Sequence, residues 1–264
     1  MVGPMGCFFR AEDHALTLEP ARALVALHAA GIALVLVSGR TRAQLVEAGR
    51  IFGADGFVGE LGAVLGWDGG RSAEILTGDM PPSMAAAPAA AIEETGVVVR
   101  LFERYPGRLE YHAPWHLGHE ADVMLRGNVD AADAARWLAD EGFGWLVLSD
   151  NGVLPMTRPT GLDPAALPAH VYHLMPAGLS KGLGVARDLA RRGLSSEQAV
   201  AIGDSASDLE MAPFVGRLWV TANGARQPHM PALMAALDNV VTADEAVGPG
   251  WAQAVRAAIA GARA

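Results

Sequence analysis

The chain has 264 residues, 51% hydrophobic and 19% charged, the balance of a folded protein with a sizeable core and not of a disordered one. Its 20 basic against 29 acidic side chains leave a net charge of −9, which argues against a nucleic-acid ligand needing a basic face. Cys7 is the single cysteine, so no intrachain disulfide is expected, and no apolar stretch reaches the length of a membrane span; the expected setting is cytoplasmic, with no membrane partner.

Residues 19–30 read as a helix with Pro20 in the first turn and Gly31 closing it. Residues 32–37 are continuously apolar, as in a strand covered on both faces of a parallel sheet. Residues 41–52 predict a second helix stopped by Gly53, then a short strand at 56–59 and a hairpin through Trp67-Asp68-Gly69-Gly70. The Ala- and Pro-rich run 79–92 marks the entrance to a second unit. Within that unit, short strands are expected at 97–102, 108–112 and 145–148 and a helix at 129–140, with Pro155, Pro159, Pro164, Pro168 and Pro176 punctuating the return. Residues 181–192 resume helix, ended by Gly193; 199–203 and 217–221 are strands and 251–262 a final helix. The fold class expected is α/β, a Rossmann-like doubly wound parallel sheet with an inserted α+β domain: core 1–80 and 178–264, insert 81–177.

Chemistry concentrates at strand ends. Asp204 and Asp208, four apart after the apolar run 199–202, are hard oxygen ligands of the kind that suits Mg²⁺. Lys181 adds a compact positive charge that suits phosphate, and Ser38-Gly39-Arg40 ends the run 32–37 with a hydroxyl and a backbone amide at a helix start. Each has a plainer role: Asp204 in a turn, Asp208 and Ser38 as helix caps, Lys181 in solvent. Lys181 is the informative one, because a cation in the first turn of a helix opposes the dipole unless an anion lies near.

These residues resemble the haloacid dehalogenase superfamily of Mg²⁺-dependent phosphatases. Ser38 matches its second motif, Lys181 its third, and Asp204 with Asp208 its fourth, with Ser207 where the family usually carries Asn. The long segment between Ser38 and Lys181 resembles the subgroup with a large inserted cap, which includes sugar-phosphate phosphatases. The resemblance implies Mg²⁺ on Asp204 and Asp208. It implies catalytic roles for Ser38 and Lys181, substrate binding by Ser38, Gly39, Arg40 and Lys181, and a small phosphorylated metabolite as partner. It also puts Glu60 near the cap–core crevice, though a surface role fits that residue equally. Arg100, Arg108, Arg126 and His112 in the insert are assigned no site, and the six tryptophans are read as packing.

The family's first motif, Asp-x-Asp-Gly-Thr, supplies the nucleophile and the general acid/base, and the sequence has no carboxylate before Glu12. Two accounts fit. Either Gly6-Cys7 stands for Gly-Thr with Gly3 and Met5 replacing the aspartates, or Met1 is internal and the motif lies upstream. The second is preferred, because a whole central strand is hard to lose. On that account 1–9 form an irregular flap and the strands at 32–37 and 199–203 lack the partner between them. A non-catalytic relative that binds a phosphorylated ligand is the alternative, and a phosphomutase of the same fold a third reading.

Overall fold

The computed structural model describes residues 7–84, 87–154 and 161–262. The chain opens into α1 (Glu19–Ala29), β1 (Val35–Val37) and α2 (Arg42–Phe52), then β2 (Gly56–Gly59), β3 (Val64–Trp67) and β4 (Ser72–Ile75). A helical pair α3 (Pro88–Glu94) and α4 (Val97–Arg104) leads to β5 (Leu109–Tyr111), β6 (Val123–Gly127), α5 (Ala131–Asp140), β7 (Leu146–Val153) and β8 (His170–Pro176). The return is α6 (Lys181–Arg192), β9 (Val200–Gly203), α7 (Ala206–Leu209), β10 (Arg217–Val220), α8 (Ala222–Ala225), α9 (Met230–Met234), β11 (Val240–Thr242) and α10 (Val247–Ala262).

Three sheets result. β1 pairs parallel with β2, and β3 and β4 extend that sheet as an antiparallel meander; β9, β10 and β11 form a parallel sheet; β5-β6-β8-β7 form the antiparallel sheet of the insert. The α/β class with a cap-like insert therefore stands. β1 and β9 are edges of two separate sheets, neither hydrogen-bonded to a further strand among the described residues. Side chains join them instead. Ala23 and Leu27 of α1 and Trp251 and Val255 of α10 enclose Ile32, Leu34 and Ile202 in one cluster. β1 is only half-buried and Val200 of β9 is exposed, whereas all four residues of β2 are buried. That contrast marks edges, not the buried centre of a parallel sheet.

Residues 7–9 form a turn and no strand, with the Phe8 ring edge-on to Phe52 and Trp251 at 5.2 and 4.9 Å. Gly3, Met5 and the rest of 1–6, as well as Pro155 and Pro159, lie outside the described residues.

Several local expectations need correction. Residues 97–102 belong to helix α4, not a strand: Val97, Val98 and Leu101 are buried together while Val99 is 57% exposed. That is the 3.6-residue period, and burial of one helical face overrides the β preference of three consecutive valines. The strand expected at 32–37 shortens to β1, because the Leu34 amide donates to the Asp55 carboxylate at 2.8 Å and leaves the ladder. The last helix begins at Val247, ahead of 251, carrying Pro249 in its first turn where a missing N–H costs nothing. Two strands that the sequence did not announce, β6 and β8, pair along their length at the centre of the insert.

Candidate functional site

At the carboxyl end of β9 the chain turns through Asp204 and Ser205 into α7. Ser205, not Asp208, is the N-cap there, and Asp208 closes a capping box from the third helical position: its Oδ2 accepts the Asp204 and Ser205 amides at 2.9 and 3.0 Å and the Ser205 hydroxyl at 2.8 Å. Its Oδ1 faces Lys181, whose Nζ donates to it at 2.7 Å and to Ser207 Oγ at 2.8 Å. Ser207 thus fills a hydrogen-bonding place in the motif. Lys181 and Asp208 are both buried. Burial alone would raise the Asp208 pKa, but the Lys181 charge and hydrogen bond and the Asp204 amide outweigh it and hold the carboxyl at about 2. The anion that a first-turn lysine requires is Asp208.

Lys181 is delivered by α6, capped by the Ser180 hydroxyl on the Leu183 amide at 3.1 Å. The helix start comes close because Gly62 has φ +108° and a Cβ there would stand 1.9 Å from the Ser180 carbonyl oxygen. Gly62 follows Leu61, whose amide donates to the Ser38 carbonyl at 3.3 Å. The Ser38 loop therefore abuts the segment against which Lys181 is seated. Ser38 Oγ accepts the Arg40 amide at 3.3 Å, and Ser38 is half-buried. Arg40 is exposed, and Asp204 is half-buried with Asn223 Nδ2 at 3.4 Å from its carboxylate. Lys181, Asp204, Ser207 and Asp208 are directly connected, with Ser38 reached through Leu61–Gly62.

The donor set fits a hard cation. Asp204 presents a carboxylate at the strand end, and Asp208 Oδ1, which accepts the Lys181 ammonium, has a second lone pair to offer a cation.

A second cluster lies where the insert meets the core. Glu60, fully buried after β2, accepts the Glu120 amide on both carboxylate oxygens, at 2.9 and 3.1 Å, and the Ala121 amide at 2.7 Å. Arg42 and Glu120 add a bidentate pair at 2.7 Å across the same seam. Beside them Asp122 bridges two imidazoles: Oδ2 lies 2.9 Å from His173 Nδ1 and Oδ1 lies 2.7 Å from His119 Nδ1. Desolvation, then the Asp122 charge, push Glu60 up to about 7, while Asp122, despite complete burial, is held near 2 by the two histidines. His173 also faces the Ser38 loop, since a Cβ on Gly39 would sit 3.2 Å from its Cε1 and Nε2. The sequence did carry a signal for this cluster, His112, His116, His119 and Asp122 at steps of four, three and three. It lacked a visible partner because His173 sits on the unanticipated β8.

The family model described as haloacid dehalogenase-like hydrolase matches residues 165–239, across Lys181, Asp204 and Asp208. Over that stretch the chain is similar to the haloacid dehalogenase superfamily. A protein of Methanoculleus marisnigri named phosphoglycolate phosphatase is 29% identical over 189 residues, 71% of this chain and 68% of that protein. A haloacid dehalogenase-like hydrolase from Bacteroides thetaiotaomicron shares the fold with TM-score 0.62 at 15% identity, over 94% of this chain and 95% of its own. The sucrose-phosphatase of Synechocystis sp. PCC6803, solved with sucrose and phosphate, does so with TM-score 0.61 at 12% identity over 92% and 90%. By this family resemblance the haloacid dehalogenase-like chain stands among the phosphoric monoester hydrolases.

Proposed function

We propose that this haloacid dehalogenase-like chain is the phosphate- and metal-binding scaffold of a Mg²⁺-dependent phosphatase. Its substrate is a small phosphorylated metabolite such as a sugar phosphate, and its aspartyl nucleophile is supplied by a strand ahead of Met1. The observation that carries the reading is the buried Lys181–Asp208 pair at the end of β9, beside Asp204. Lys181 would hold one phosphoryl oxygen, the Ser38 hydroxyl and Gly39 amide another, and Arg40 the solvent side of the substrate. Asp204 and Asp208 would hold Mg²⁺, which when bound offsets charge on the phosphoryl oxygens. Residues 1–80 and 178–264 form the core in this reading, and 81–177 the cap that shields the reacting groups from water.

The reading explains why, among the described residues, β1 and β9 each end a sheet, since the family's first strand lies between them. The absence of Asp and Glu from residues 1–11 favours a second reading, a non-catalytic binder of a phosphorylated ligand. One experiment separates them. Residues 1–264 alone are expected to show no Mg²⁺-dependent turnover of p-nitrophenyl phosphate. Addition of an apolar strand ending in Asp-Ile-Asp-Gly-Thr should restore turnover, lost again in Asp204→Asn, and raise the thermal midpoint. A raised midpoint without turnover supports the binder. Turnover by residues 1–264 that Asp208→Ala abolishes would refute the upstream nucleophile.

A further inference from the structure

Among the described residues, a second group of ionisable side chains converges at the seam: Glu60, His119, Asp122 and His173. His119 Nδ1, Asp122 and His173 Nδ1 bring their ligating atoms within 4.8 Å of one another. The three side chains are 3%, 0% and 0% exposed. Two features separate this group from an ordinary buried hydrogen-bond network.

The first is the state of His119. Its Nε2 lies 3.1 Å from the Trp115 carbonyl oxygen, which can only accept, so the ring proton belongs on Nε2. Nδ1 lies 2.7 Å from Asp122 Oδ1, a close buried contact that makes no hydrogen bond. A proton between them would need the hydrogen-bond line. The two atoms are off that line, and both are buried with no hydrogen-bond partner. Uncompensated buried polar atoms of this kind are costly and rare. A cation set to one side of both meets each lone pair at an angle and satisfies both. The carbonyl on the far nitrogen is also the arrangement that orients a metal-ligating imidazole.

The second is charge. Asp122 and Glu60 are two carboxylates at 1% and 0% exposure, and Glu60 Oε2 is 3.8 Å from His119 Nδ1. The flanking cations do not reach both: Arg42 is committed to Glu120, and Arg126 to Glu110 at 2.7 Å. Two imidazoles with one or two carboxylates form the donor set of zinc and related dications, not of Mg²⁺, which takes oxygen.

We propose that His119, Asp122 and His173 form a binding site for a Zn²⁺-class divalent transition metal, with Glu60 supplying the fourth, core-side carboxylate. The site is separate from the Asp204–Asp208 pair and does not rest on the phosphatase reading. Ligands at about 2.0–2.1 Å from a tetrahedral zinc stand roughly 3.3 Å apart, so uptake spreads the present 2.7 and 2.9 Å contacts by about half an ångström. His173 ligates through Nδ1 and moves its proton to Nε2, and the Asn151 side-chain amide, whose Nδ2 stands 3.5 Å away, turns its oxygen to accept it. Access is along the seam, where an open groove of about 470 Å³ is lined by Gly118 and Glu120, the residues flanking His119. Because Glu60 comes from the core and the other three from the insert, the metal would pin the cap where His173 meets the Ser38–Gly39 loop.

The test uses the whole chain, stripped with chelator, loaded with Zn²⁺ or Co²⁺ and desalted against a weak competing chelator. The expected result is about one equivalent retained per chain, a Co²⁺ absorption spectrum of tetrahedral type, and a thermal midpoint that rises with added Zn²⁺. His119→Gln and His173→Ala, each checked for native circular dichroism, should lose retained metal, and Glu60→Gln should weaken binding by ~10-fold or more. Asp204→Asn and the double change His112→Ala/His116→Ala should retain the full equivalent, which separates this site from the phosphoryl site and from the other histidines of the same segment. Absence of retained metal in the unmodified chain overturns the proposal, whatever the folding of the variants. So does a full equivalent in either His119→Gln or His173→Ala.

Discussion

Replacing Lys181 by Ala tests whether the Lys181–Asp208 pair is a buried ion pair or an incidental one. The ammonium is 7% exposed, 2.7 Å from Asp208 Oδ1 and 2.8 Å from Ser207 Oγ, and the carboxylate it faces is 10% exposed. Its removal leaves Asp208 with backbone and serine donors on Oδ2 only, a buried charge without its counter-ion. Breaking such a pair from one side costs about 3–5 kcal/mol, whereas an exposed pair is worth ~1 kcal/mol or less. Replacing both members, Lys181→Met with Asp208→Asn, leaves no orphaned charge and should recover most of that loss. The assay is equilibrium urea unfolding at neutral pH, with two probes to check two-state behaviour and a double-mutant cycle on the four variants. A Lys181→Ala loss below ~1 kcal/mol, or a double variant no more stable than the worse single one, would refute the reasoning.

The acid limb follows from the same pair. With its folded pKa at about 2 against an ordinary 3.8, Asp208 contributes stability above pH ~4 that is lost as pH falls towards 2; roughly two units correspond to about 2.5 kcal/mol. The stability gap between Asp208→Asn and the parent chain should therefore shrink by ~1.8 kcal/mol between pH 4 and 2; a constant gap would contradict it. Gly62→Ala drives a methyl to 1.9 Å from the Ser180 carbonyl, while Gly193→Ala, at φ +68°, meets nothing within 4 Å. Thermal unfolding should show about 1–2 kcal/mol for Gly193→Ala and a clearly larger loss for Gly62→Ala; equal losses would mean that α6 does not approach as described. In α4, Leu101→Ala should cost about 2–5 kcal/mol and Val99→Lys less than ~0.5 kcal/mol. Comparable losses would favour a strand, in which Val97, Val99 and Leu101 share one face.

Much of the architecture was legible because its signals are local. Helix α2 is capped by Thr41 and closed by Gly53, α6 is capped by Ser180 and closed by Gly193, and β2 falls at the expected 56–59. A side-chain oxygen that caps, or a glycine that accepts positive φ, acts on its own few residues and leaves a mark in the sequence. Lys181, Asp204 and Asp208 were legible for a similar reason, since two of them lie on one turn and the third opens a helix.

What the tertiary structure decided is long-range. The three valines that open α4 became helical because packing against the insert's sheet buries Val97, Val98 and Leu101 on one helical face. The counter-ion of Lys181 and the seam cluster each depend on residues far apart in the chain. Glu60 meets Ala121 across 61 positions and Asp122 meets His173 across 51. No short window contains both members of such a pair. Whether a buried carboxylate finds an imidazole, an ammonium or a metal depends on where the elements pack, because burial sets the cost of a lone charge and packing supplies its partner.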